Sequence, residues 1–115
     1  MASKRGSLLA YALGLPGAFL DHPWGEDVTK VGAKVFAFFG VEGHASGHLM
    51  TVKLSDSHGQ ALLVPGIEPA GYGLGKSGWV TVPSSVTLPI GVLRDWVEES
   101  YRLVAPKKLL AELDA

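Results

Sequence analysis

The sequence predicts an α+β domain built on an antiparallel sheet, and three observations predict it. Short stretches of strand character cluster in the middle of the chain, at VTKVGAKVFAFFG, GHLMTVKLS and WVTVP. Helical patterns stand towards the two ends, the longer over Leu88 to Val104. The order of these stretches is not the strand–helix–strand alternation that a parallel sheet requires. At 115 residues the chain reads as one domain, 1–115, with 1–6 a flexible tail. Its residues are 47% hydrophobic and 18% charged, enough apolar material for a core and too much for global disorder.

Ser7 to Leu13 reads as a first helix, with Ser7 as N-cap and Gly14 closing it. DHPWGED is a turn cluster in which Pro23 drives His22 towards an extended conformation. Two strands then flank Gly32-Ala33 as a hairpin. Strict alternation in its second arm points Val35, Ala37 and Phe39 one way and Lys34, Phe36 and Phe38 the other. VEGHASG is a glycine-rich turn into a third strand, where Leu49, Thr51 and Lys53 alternate against Met50, Val52 and Leu54. His58 to Leu63 has a short helical pattern ended by Pro65-Gly66, and WVTVP is a fourth strand. Thr87 caps the helix Leu88 to Val104, whose buried stripe is Ile90, Leu93, Val97, Tyr101 and Val104. Arg94, Asp95, Glu98 and Arg102 fall on its solvent side, Pro106 ends it, and KKLLAELDA forms a terminal helix.

Composition narrows the chemistry. The chain has no cysteine, which removes disulfides, thiolate metal sites and a cysteine nucleophile and fits a cytoplasmic setting. A net charge of −1 gives no overall basic field towards nucleic acid or anionic lipid. LLAYALGLPGAFL is apolar, but Gly14, Pro16 and Gly17 interrupt it and it is too short to span a bilayer, so no membrane association is expected.

Within AGYGLGKSGW, residues Ala70, Gly75, Lys76 and Ser77 match a relaxed phosphate-loop pattern. That chemistry needs a buried strand before the loop and a helix opening straight after Lys-Ser. Here proline-bracketed PGIEP precedes and strand-like WVTVP follows, so the segment reads as a glycine-rich loop leading into a strand. His44 and His48 have a four-residue metal-ligand spacing, but Gly43 and Gly47 argue for a turn, and no carboxylate completes a site. The serines lack a nucleophile-elbow motif. The expectation is therefore no enzyme activity, no metal and no cofactor. Lys30, Lys34, Lys53 and Lys76 fall in or beside the strands and the loop, and with Trp79 they form the pattern of a backbone-tracking nucleic-acid surface. The same lysines also fit an ordinary solvated sheet face.

Taken in order, HPWGEDVTKVGAKVFAFFG, TVKL, PAGYGLGKSGWVTVP and LRDWVEESYRLV closely resemble the MmcQ/YjbR family of small bacterial proteins. The matching positions are Pro23-Trp24-Gly25, Lys30-Val31, Lys34, Phe36-Ala37, Tyr72, Trp79 and Ser100-Tyr101, spread over roughly residues 7–105. The loop departs from the family's Pro-Gly-Tyr, because Ala70 separates Pro69 from Gly71-Tyr72. The resemblance implies a fold like that of bacterial frataxin (CyaY-like), with helices packed on one face of the sheet. It also implies the "double wing" label of a DNA-binding-like protein, which by itself confers no biochemistry.

The leading expectation is a non-enzymatic cytoplasmic binding domain for DNA. Lys30, Lys34, Lys53 and Lys76 would contact phosphates, with Tyr72 and Trp79 stacking or shaping the loop. The alternative is a small-ligand or protein-binding module using the concave region between loop 69–78 and the sheet. Trp24, Tyr72 and Trp79 would then line a pocket.

Overall fold

The computed structural model describes residues 3–23, 25–40, 48–71 and 73–115. Trp24, Tyr72 and residues 41–47, with His44 and most of the expected VEGHASG turn, lie outside the described residues. The elements run α1 (Lys4–Leu13), β1 (Ala18–Asp21), β2 (Asp27–Val31), β3 (Lys34–Gly40), β4 (His48–Lys53), α2 (His58–Leu62) and β5 (Glu68–Pro69). A 3-10 turn (Leu74–Ser77), β6 (Trp79–Pro83), α3 (Ile90–Val104) and α4 (Lys107–Leu113) follow. The strands form one antiparallel six-stranded sheet in the order β1-β2-β3-β4-β6-β5. α1 and α3 pack on each other and on the sheet, so the α+β class read from the sequence holds.

One face of the sheet carries the core. Leu8 and Ala12 of α1 and Leu93, Trp96, Val97 and Tyr101 of α3 meet Val31, Phe36, Ala37, Met50, Val52, Val80 and Val82. Tyr101 is fully buried; its ring stands edge-on to Phe36, centroids 5.3 Å apart, and its hydroxyl donates to the Pro16 carbonyl. A buried aromatic of this kind contributes both area and a satisfied polar tip. Residues Thr51, Lys53, Trp79 and Thr81 alternate with these core positions and belong to the opposite face.

Strict alternation fails in β3. Register shifts between Asp27 and Val28 and between Thr29 and Lys30 insert extra residues on the β3 side. An inserted residue inverts the facing of everything on one side of it. Phe36 therefore joins Ala37 and Phe39 in the helix-covered core, while Phe38 turns to the other face and sets its ring against Trp79, centroids 5.4 Å apart.

The N-terminus also departs from expectation. Residues 4–6, read as part of a flexible tail, lie in α1, and the cap is Ser3 rather than Ser7. The Ser3 hydroxyl accepts the Gly6 N–H at 2.9 Å. Lys4 Nζ donates to the Val86 carbonyl at 2.8 Å. Arg5 donates to the carbonyls of Phe39 (2.8 Å) and Gly40 (3.1 Å) and to Asp27 (2.6 Å). These partners are distant in sequence, so local polarity mimics a tail.

One further boundary moved, and β1 is new. α3 starts at Ile90 with Pro89 as its N-cap, not at Leu88 behind Thr87, because a proline disfavours helical backbone in the residue before it. Leu93, Val97 and Tyr101 of the expected stripe are buried; Ile90 and Val104 are half-buried, and Trp96 and Ser100 are buried beside them. β1 was not anticipated, since AFLD is short and follows the apolar N-terminal run. It is set up by Gly17, whose φ of +72° sharply turns the chain after α1 and whose absent side chain leaves room for Leu109 of α4.

Candidate ligand cleft

The sheet face away from the helices is closed in part by the segment 70–77. Ala70 donates its N–H to the Trp79 carbonyl at 2.9 Å, and its own carbonyl accepts from Gly75 at 3.2 Å. Leu74 donates to Gly71 and Gly78 to Gly75, so these N–H groups are bonded within the loop. Gly78 has φ +92°, and a Cβ there would stand 2.6 Å from the Leu54 carbonyl oxygen. The glycine is needed for that close approach of two backbones. A strand follows the loop where a phosphate loop needs a helix, and Lys76 is exposed on the 3-10 turn. The phosphate-loop resemblance is an accident of composition.

Between this loop and the sheet lies a cleft of about 700 Å³. Its lining comprises Glu26, Phe38, His48, Thr51, Ala70, Gly71, Leu74 and Thr81. Phe38, Thr51 and Thr81 lie opposite one another across β3, β4 and β6 and form the floor. The two threonine hydroxyls are 3.2 Å apart and hydrogen-bonded to each other. Ala70, Gly71 and Leu74 bring the loop wall. Glu26, just before β2, and His48, at the start of β4, add a carboxylate and an imidazole. The combination of apolar walls with a few polar groups is typical of small-molecule sites.

Of the binding residues expected from the sequence, Trp24 and Tyr72 lie outside the described residues, and the others do not line the cleft. Trp79 is buried behind Phe38 and supports the floor without lining the cleft. None of the four lysines lines it. Lys30 is paired with Asp21 at 3.1 Å. The hydrogen bond from the His22 backbone N–H, and after it the one from Lys30, holds the Asp21 carboxyl below its ordinary value. Lys34 is exposed at the β2–β3 turn, and Lys53 lies opposite Trp79 at the end of β4. Asp21 lies on β1, Glu26 just before β2 and Glu68 on β5, so carboxylates share the sheet with the lysines. The floor threonines had a sequence signal that was not used: each is a polar residue between valines or a valine and a methionine, in MTV and VTV, on the face the core does not claim.

A family model described as YjbR matches residues 13–103, most of the chain. Among solved structures, a crystal structure of Deinococcus radiodurans protein DR2400, with the family domain DUF419, is similar in fold at a TM-score of 0.72 and 24% identity. The match covers 99% of this chain and 92% of the other. No curated protein matches the sequence. Among the described residues, no helix is long and apolar enough to cross a membrane.

Proposed function

The chain belongs to the YjbR family, and from that premise we propose that it is a non-enzymatic binding domain whose ligand is a small molecule held in the cleft between loop 70–77 and the sheet. The observation that carries this reading is the lining itself: Phe38, Ala70 and Leu74 bring apolar surface, and the Thr51–Thr81 pair offers hydroxyls at the floor. Apolar surface supplies binding free energy on desolvation, and a few placed polar groups supply orientation.

The DNA-binding reading has less support. A backbone-tracking site needs several unpaired cations along one path, and here Lys30 is engaged by Asp21, while Lys34, Lys53 and Lys76 stand on separate elements. Nile red, a neutral fluorescent dye, tests the cleft. Its emission should rise with the wild-type protein and not with Thr51→Phe, which fills the floor. Dye binding that survives Thr51→Phe places the site elsewhere. In parallel, a gel shift with generic duplex DNA at low salt should show no retardation. Retardation that falls steeply with salt and weakens in Lys34→Ala or Lys53→Ala would favour DNA instead.

A further inference from the structure

We propose that the cleft selects a cationic ligand, an ammonium group carried on an apolar body, with Glu26 as its counter-ion. The inference rests on the cleft being a binding site, and adds the charge and class of what it takes. Among the described lining residues there is one carboxylate, Glu26, and no lysine or arginine. Glu26 is half-buried, and among the described residues no cation stands within ion-pair distance of it. The neighbouring acids are not in that position: Asp27 is held by Arg5 and His22, and Asp21 by Lys30.

Apolar walls strengthen the field of a lone carboxylate by lowering the local dielectric. Phe38 and Leu74 would take the apolar body. The Phe38 ring in the same lining also favours a cation over an anion. The Thr51 and Thr81 hydroxyls have oxygen lone pairs for the ammonium protons that Glu26 does not reach. An anion of the same shape would meet the carboxylate with no arginine or lysine to offset it. The same reasoning disfavours phosphate-bearing ligands in this cleft.

The test compares three probes of similar shape at pH 8: 2-phenylethylamine, 2-phenylethanol and 3-phenylpropionate. Binding is followed by the amide chemical shifts of Thr51, Thr81 and His48. The amine should bind about tenfold or more tightly than the acid, about 1.4 kcal/mol, with the alcohol between them. Glu26→Gln, which keeps the side chain's shape, should bring the amine down to the level of the alcohol while the rest of the amide spectrum stays in place. Equal affinity for amine and acid, or a preference that survives Glu26→Gln, overturns the charge selection and leaves the cleft reading standing. If none of the three, the neutral alcohol included, shifts the cleft amides, the cleft reading falls and this inference with it.

Discussion

The Ser100 hydroxyl donates to the Phe36 carbonyl at 2.5 Å and accepts the Lys53 backbone N–H at 2.8 Å. It stands where the β3–β4 ladder, paired at Ala37–Val52 and Phe38–Thr51, stops. The bulge that turns Phe36 into the core interrupts direct pairing, and a side chain from α3 bridges the two strands instead. This gives the Ser-Tyr of α3 a structural meaning: Ser100 joins the strands and Tyr101 packs against the same Phe36. Ser100→Ala should lower stability by about 1–3 kcal/mol, because two backbone groups lose their partner at once. Urea unfolding would show this as a lower midpoint at unchanged slope.

Arg5 ties α1 to the β2 and β3 ends through three acceptors. Arg5→Ala should cost about 1–3 kcal/mol, since hydrogen bonds from a charged donor exceed neutral ones and two carbonyls and a carboxylate are left behind. Arg5→Lys should recover part of this, as an ammonium cannot reproduce the planar fork. Thermal unfolding of both variants is the measurement. A truncation of residues 1–6 that leaves the midpoint unchanged would contradict this role.

Glu99 predicts an acid-limb effect. Burial opposes its ionisation, yet hydrogen bonds from the Ser57 hydroxyl and the Ser57 and Ser55 N–H groups prevail and hold its carboxyl below the ordinary 4.5. A depressed carboxyl contributes stability that is fully present above the unfolded value and lost as pH falls through the folded one. Stability at pH 7 should therefore decline on acidification below about 4.5. Glu99→Gln should be less stable at neutral pH and show a shallower decline over the same range, measured by urea midpoints from pH 7 to pH 3.

The loop glycines should separate by geometry. Gly78→Ala combines φ +92° with a backbone oxygen at 2.6 Å and should destabilise by about 1–3 kcal/mol or more. Gly71→Ala has nothing within 4 Å and should stay within about 0.5 kcal/mol. Lys76→Ala, on an exposed turn, should be equally silent in thermal unfolding.

Much of the architecture was legible because it follows local patterning. The hairpin about Gly32-Ala33, the WVTVP strand, the His58 helix and the long helix α3 all carry periodicities that burial on one face demands. β1 and β5 were missed because both are short edge strands, held by pairing with β2 and β6 more than by their own residues. The cleft was legible only as a location, between the loop and the sheet. Its floor of Phe38, Thr51 and Thr81 depends on cross-strand register, which the bulges of β3 shift by a residue.

The sequence by itself determined the α+β class, the family and the failure of the phosphate-loop match, since each depends on residue order and on what lies beside a motif. Only the tertiary structure decided which polar groups are already engaged. Lys30, Arg5 and Ser100 find partners on other elements, through pairings that no local pattern encodes. The structure likewise brought Glu26, from the turn before β2, to the same cleft as Leu74 of the loop. Residues so far apart in the chain meet because the antiparallel register sets their positions, and that register is a property of the assembled sheet.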